Sequence, residues 1–257
     1  MIYSNQYEIP CLHRIHAGKP TGVHKVHHSI GMSIGLVSLI SRLEKLNSTA
    51  VSKMEADRSI LVTFDDGWID PMLLFDFFRS ATKLQPVLFL THGQISGHSG
   101  LLPLARLYEW CDSQSLDINS IKNLGISRSE MKLLPEKHQH SILDKMGIPP
   151  SNTSRQVLSV GKIEFLQDNG WLIGSHAHDH RDLRKSDMNQ LELGLKEALE
   201  SLKKIGGVPW LAWPEGRCSK KICELASKIG FEKQFSLNIE SGNIDFPGLL
   251  HREIWSE

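Results

Sequence analysis

Thr63-Phe64-Asp65-Asp66-Gly67 sets two adjacent carboxylates where an apolar run ends, with a glycine that lets the chain turn at once. Neighbouring side chains on a strand point to opposite sides, so the pair is ill-suited to chelating one ion together. It suits a division of labour: one oxygen ligand for a metal and one carboxylate left free beside it. Alone, Asp-Asp-Gly is also an ordinary solvated turn. The second cluster is Ser175-His176-Ala177-His178-Asp179-His180, with three imidazoles in five residues, a density that packing does not explain. His176 and His180 share a face if the loop takes a helical turn, whereas His176 and His178 share one if a strand continues. Either pair can present neutral nitrogens to Zn²⁺ or a similar ion. One carboxylate with two imidazoles leaves coordination positions open, which is the pattern of catalytic rather than structural metal sites. A third element, Pro214-Glu215-Gly216, fixes a tight loop whose backbone N–H could face such a site.

Each cluster needs an element to carry it. Apolar runs rich in β-branched or aromatic residues predict strands over 60–64, 86–90, 171–175, 210–213 and 235–238, and a short one over 249–254. The three clusters follow the first, third and fourth of these. Met72, Leu73, Phe75, Phe77 and Phe78 predict an apolar helix after the first strand. Met188, Leu191, Leu195, Leu199 and Leu202 fall on one helical face, with Ser186 as the expected N-cap and Gly206 as the stop. Ile222, Leu225, Ala226 and Ile229 repeat the pattern up to Gly230. Strand and helix alternating along one chain predict an α/β fold with a parallel sheet, open or closed into a barrel, whose sites gather at one end. Residues 97–155 break the rhythm and are expected to be a helical insertion within a single domain spanning 1–257.

Composition narrows the classes of function. A chain of 257 residues, 40% hydrophobic and 23% charged, can bury a substantial core. Its 29 basic and 29 acidic residues form no cationic stripe, which argues against nucleic acid as a partner. Cys11, Cys111, Cys218 and Cys223 are too few and too scattered for a disulfide scaffold, and are expected as reduced thiols. No basic stretch leads into an apolar one at the start, and residues 30–40 are too short for a membrane span of ~20 residues, so a cytoplasmic protein without an integral membrane segment is expected. His24, His27 and His28 are expected in a solvated loop, and His92 is read as an ordinary histidine although it follows a strand near the expected cleft.

With these motifs in place the chain resembles the polysaccharide deacetylases of the NodB-homology type, also called carbohydrate esterase family 4. The family's T-F-D-D-G motif stands intact at residues 63–67, H-[ST]-x-x-H is approximated by His176–His180, and a third motif, often P-Y-G, corresponds to Pro214-Glu215-Gly216. The resemblance runs from about residue 8 to the C-terminus and covers 97–155 poorly. It implies a distorted (β/α) barrel, a divalent metal with zinc first among the candidates, and hydrolysis of the N-acetyl group of an amino sugar. Asp65 would be the general base, and Asp66, His176 and His180 would hold the metal. The general acid would be His13, in Leu12-His13-Arg14-Ile15, which is similar to the Y-H-x-I motif of the poly-N-acetylglucosamine deacetylase branch. His251, in Leu249-Leu250-His251, resembles the L-x-H histidine of the other branch and is the second choice. Ala177 replaces the usual Ser/Thr, Arg181 the usual proline and Glu215 the usual tyrosine; Ala212 stands where many members carry an arginine, a role Arg252 could fill. The Glu215 backbone N–H would hold the oxyanion. Trp68, Trp171 and Trp213 flank the motifs, and Trp68 and Trp213 are the candidates for stacking on a pyranose. Two rival readings are an amidohydrolase-like barrel using the His176/His178 pair, and a non-catalytic carbohydrate-binding relative.

Overall fold

The computed structural model describes residues 2–3, 8–20, 23–53, 58–96, 102–116, 125, 127–150, 156–237 and 244–257. The strands are β1 (Ile2–Tyr3), β2 (Pro10–Leu12), β3 (Arg14–His16), β4 (Ser33–Gly35), β5 (Arg58–Phe64), β6 (Leu84–Leu90), β7 (Leu172–Ser175), β8 (Trp210–Ala212), β9 (Lys233–Leu237) and β10 (Leu249–Ile254). The order β5-β2-β10-β9-β8-β7-β6, with β6 pairing back to β5, closes a seven-stranded parallel barrel. β1 pairs with the start of β5, while β3 and β4 form a separate parallel pair. The expected (β/α) barrel is therefore present.

Period-two alternation divides each barrel strand between two apolar environments. Ile9, Leu61, Val87, Phe89, Trp210, Ala212 and Phe235 form one buried cluster with Leu250 packed against it, and this is the barrel interior. Their neighbours Val62, Phe64, Leu88, Leu90, Ile173 and Leu211 belong to a larger cluster shared with the surrounding helices. Both faces of a parallel strand are buried in this way, which is why the runs look continuously apolar. Helix Met188–Lys204 buries Leu191, Leu195, Ala198, Leu199 and Leu202 against that shell. Each buried leucine is worth about 1.5–3 kcal/mol. Helix Lys220–Ile229 does the same with Ile222, Cys223 and Ala226, and stops at Gly230 with φ 120.

Several expectations are corrected. The N-cap of the 188–204 helix is Asp187, whose carboxylate accepts from the Asn189 and Gln190 N–H groups, not Ser186. The single helix expected near 72–78 is a 3-10 turn, Asp70–Leu74, followed by helix Phe75–Ser80; Pro71 at the start of the turn favours that break. Strand limits move by one or two residues, and Asn238 lies outside the described residues. β1 to β4 were not expected, since strands of two or three residues interrupted by polar ones leave little pattern to detect, and helix Leu36–Lys53 was not expected either. His27 and His28 lie in helix Val23–Ser29, not in a loop. All four cysteines are free and buried. No helix among the described residues is long and apolar enough to cross a membrane.

The insertion contributes helices Pro103–Ser113, Arg128–Met131 and Glu136–Lys145. Leu107, Tyr108, Cys111, Met131, Leu143 and Ile148 make a small core that also takes Val26 from the helix Val23–Ser29. Arg106 ties it together through Asp144 at 2.7 Å and the Pro149 carbonyl at 2.9 Å. The Asp182 N–H donates to the Lys132 carbonyl at 2.9 Å, which joins the insertion to a barrel loop.

Candidate active site

Loops after β5, β7 and β8 build the site at the carboxyl ends of the strands. Non-glycine residues in the left-handed region among the described residues include Asp66 (φ 67), Ala177 (φ 65) and Glu215 (φ 56), one in each of these loops. Such conformations cost about 1–3 kcal/mol each and persist where the surroundings over-determine them. Gly67 (φ 62) is required for a second reason: a Cβ there would stand 2.9 Å from Leu90 and from the Gln94 amide, which donates to the Asp66 carbonyl.

The reversal between Asp65 and Asp66 sends their carboxylates to different partners. Asp65 continues the inner-facing series Leu61, Thr63, and meets Arg252, which donates from Nη1 to Oδ1 at 2.7 Å and from Nη2 to Oδ2 at 2.9 Å. Arg252 also donates to Thr63 Oγ1 at 3.1 Å, and the Cys11 thiol donates to Asp65 Oδ2 at 3.4 Å. Burial alone would raise the Asp65 pKa, but the Arg252 guanidinium outweighs it and holds the carboxyl well below the usual range. Arg252, fully buried, thus reaches both Asp65 oxygens from β10.

Asp66 turns the other way. Its Oδ1 stands 3.5 Å from His176 Nε2 and 3.3 Å from His180 Nε2. Adjacent ligand atoms around an ion with bonds of ~2.0–2.1 Å lie ~3.3–3.5 Å apart, so the spacing fits a metal. Asp66 Oδ1 and His176 Nε2 are buried and have no hydrogen-bond partner among the described residues. Buried polar atoms are rarely left so, and a cation between them would satisfy both. His176 Nδ1 contacts the Ala212 carbonyl at 2.9 Å; as donor there it leaves Nε2 with its lone pair toward Asp66. Burial lowers the His176 pKa to about 4, which keeps the imidazole neutral and able to ligate. Ser175 Oγ accepts from the Ala177 N–H at 3.1 Å and helps fix the turn of this loop.

His13 follows β2 on the same inner-facing series as Ile9 and Cys11, and is buried beside Asp65 and Asp66. Its Nδ1 has no partner among the described residues, and burial lowers its pKa. His251 is one residue from Arg252 and so points to the opposite face of β10, where its Nδ1 meets Ser236 Oγ at 2.9 Å. Of the two histidines, His13 reaches the carboxylates.

A cavity of about 530 Å³ opens over this cluster, lined by His13, Asp65, Asp66, His180, Glu215 and Arg252. Its opposite wall comes from the insertion and includes Leu102, Tyr108, Arg128 and Lys132. Glu215 carries its carboxylate to Lys132 and to Arg217, the latter at 3.2 Å, while its N–H has no partner among the described residues. Pro214 is buried at the start of that turn and shapes it without lining the cavity.

Other expectations fail here. His178 pairs with Glu197 at 3.2 Å and stacks on His92 at 4.8 Å, so the His176/His178 pair that the amidohydrolase-like reading needs does not form. Of the two tryptophans expected to stack on a sugar, Trp213 is wholly buried with Nε1 on Gln234 at 3.0 Å and lines no part of the cavity, whereas Trp68 lines it, with the Arg14 guanidinium over its ring at 4.1 Å and His27 edge-on to it. His27, expected in solvent, is buried against Trp68 and Tyr108 and lines the cavity. Sequence reasoning missed Cys11, His27, Tyr108 and Lys132. Only Cys11 carried a signal, being two residues before His13 on one strand face.

The fold and the site together define a parallel (β/α) barrel with an Asp-His-His cluster at the carboxyl ends of its strands. A family profile described as polysaccharide deacetylase matches residues 151–233, which include the His176–His180 loop and the Pro214–Gly216 turn. Among solved structures, the Streptococcus pyogenes deacetylase PplD shares the fold at TM-score 0.57 and 14% identity, over 97% of this chain and 93% of that one. A polysaccharide deacetylase from Bacillus cereus matches at TM-score 0.56 and 16% identity, over 96% of this chain and 65% of that one. A de-N-acetylase from Aggregatibacter actinomycetemcomitans matches at TM-score 0.56 and 12% identity, over 99% and 94%. No curated protein matches the chain by sequence. Over residues 151–233 the chain thus matches the polysaccharide deacetylase profile, and its fold is the one these solved deacetylases share.

Proposed function

We propose that the protein is a metal-dependent hydrolase that removes the N-acetyl group from an amino sugar or a sugar conjugate. The observation that carries this reading is the convergence of Asp66, His176 and His180, with two buried atoms left unsatisfied, beside an ionised Asp65. Asp66 Oδ1 and the Nε2 atoms of His176 and His180 would hold a divalent ion, zinc first among the candidates. Such an ion, when bound, supplies Lewis acidity toward the acyl carbonyl and acidifies water.

This chain's own groups do the rest. Asp65, oriented at both oxygens by Arg252, accepts the proton of the attacking water. The Glu215 N–H, fixed by a left-handed backbone, donates to the developing oxyanion; one such donor is typically worth about 2.7–4 kcal/mol. His13, through its unpartnered Nδ1, delivers a proton to the departing amine. The insertion walls the cavity and limits water around the reacting amide. Acetate release from N-acetylated monosaccharides and oligomers, before and after chelation, tests the proposal. Activity that chelator removes and Zn²⁺ restores is expected; turnover unchanged by complete metal removal would refute it.

A further inference from the structure

A second set of ligand-type side chains lies beside the β3–β4 pair and lines no part of the catalytic cavity. It comprises His16 at the end of β3, His28 in helix Val23–Ser29, and Glu257. One ligand atom from each lies within 4.8 Å of the other two. His16 Nε2 stands 3.6 Å from Glu257 Oε2, and the two imidazole rings meet edge to face with centroids 5.9 Å apart.

The backbone aims two of these groups. His16 Nδ1 contacts the Gly18 carbonyl; as donor there it leaves Nε2 as the lone-pair nitrogen. Glu257 accepts the Gly35 N–H on Oε1 at 3.0 Å and turns Oε2 toward His16. His28 is held more loosely, with Nδ1 3.5 Å from Ser33 Oγ. Each of the first two groups spends one polar atom on the main chain and directs the other to a common point. His176 has the same arrangement in the catalytic cluster.

We propose that His16, His28 and Glu257 form a second divalent-cation site, distinct from the catalytic one, with the two-imidazole, one-carboxylate donor set that takes Zn²⁺, Co²⁺ or Ni²⁺. The ion clasps β3, helix Val23–Ser29 and residue 257 together. β3 begins one residue after His13, and the helix carries His27, so the clasp braces the segment that delivers both to the cavity.

Bound metal per chain tests this without reference to activity. The full chain is stripped with chelator, dialysed against micromolar Zn²⁺ or Co²⁺, and analysed by elemental emission alongside thermal unfolding. The site requires that Asp66→Asn, which disables the catalytic cluster, still binds one ion. Adding His28→Ala or Glu257→Gln to that variant should weaken binding at least tenfold and remove the metal-dependent rise in melting temperature. Both residues are exposed, so these variants should fold. If Asp66→Asn binds no ion, or if its ion survives both surface substitutions, the second site is overturned. Should His28→Ala alone remove the only bound ion of the wild type, the second site stands and the catalytic metal proposal fails instead.

Discussion

Asp65 and Asp66 are adjacent in sequence and answer to different partners, a guanidinium of the chain for one and two imidazoles for the other. Removing the charge of one should therefore differ from removing the other: the first acts on proton transfer, the second on metal. The proton donor separates in the same way. His13→Ala is expected to lower kcat by about 10²–10⁴-fold. His251→Ala should stay within about twofold of wild type, because its side chain lies on the far face of β10. Steady-state kinetics of both variants decides the matter, and an inactive His251→Ala beside an active His13→Ala would reverse the assignment. The buried imidazoles also set a pH dependence. Burial lowers the pKa of His176 to about 4 from 6.5, so unfolded chains take up a proton that folded chains refuse. Stability of the metal-free protein is then full above pH 6.5 and declines as pH falls toward 4, by roughly 3 kcal/mol for this one group. Urea unfolding of chelated protein at pH 7 and 4.5 should show the loss, and His176→Ala should diminish it; a midpoint independent of pH would contradict it.

At the scale of elements, strand alternation decides which residues meet. Cys11 and His13, Thr63 and Asp65, and Leu250 and Arg252 continue the inner-facing rows of β2, β5 and β10. β3 is too short to hold its place alone and is pinned by Asp70, which pairs with Arg14 Nε at 2.8 Å and accepts the Ile15 N–H at 3.1 Å. All of this is buried, so Asp70→Ala leaves a guanidinium without its carboxylate and should cost about 3–5 kcal/mol. Because β3 follows His13 directly, kcat should fall with it; chemical denaturation and kinetics check both, and an unchanged unfolding midpoint would show the pair to be idle. The legible parts of the sequence were those with long periods. The barrel strands from 58 onward announced themselves as apolar runs, even β7 and β8 with four and three residues, and the helices Met188–Lys204 and Lys220–Ile229 did so through a repeating apolar face. β2 to β4 did not, since Pro10, Arg14, His16 and Ser33 break any apolar run in segments this short. The three motif loops were legible by residue type, but the left-handed turns at Asp66, Ala177 and Glu215 were not, because non-glycine residues seldom adopt them. Trp213 misled because a tryptophan beside a motif serves packing as readily as binding, and only burial separates the two.

At the scale of the whole molecule, barrel closure is what turns separated motifs into a site. β5 pairs with β6 and β6 with β7, so loops more than a hundred residues apart emerge with a single strand between them. β10 closes against β2 and carries Arg252 to Asp65 across the last joint. The insertion then covers the open end and, with helix Val23–Ser29, makes a walled cavity of about 530 Å³ out of an exposed rim. Its contribution was hidden from sequence because its core is assembled partly from Val26, far outside residues 97–155. The most direct measurement is anomalous diffraction from crystals grown with Zn²⁺. A peak is expected at about 2.0–2.2 Å from Asp66 Oδ1 and from the Nε2 atoms of His176 and His180, with Asp65 still on Arg252. A crystal at saturating Zn²⁺ with no peak among those three atoms would contradict it.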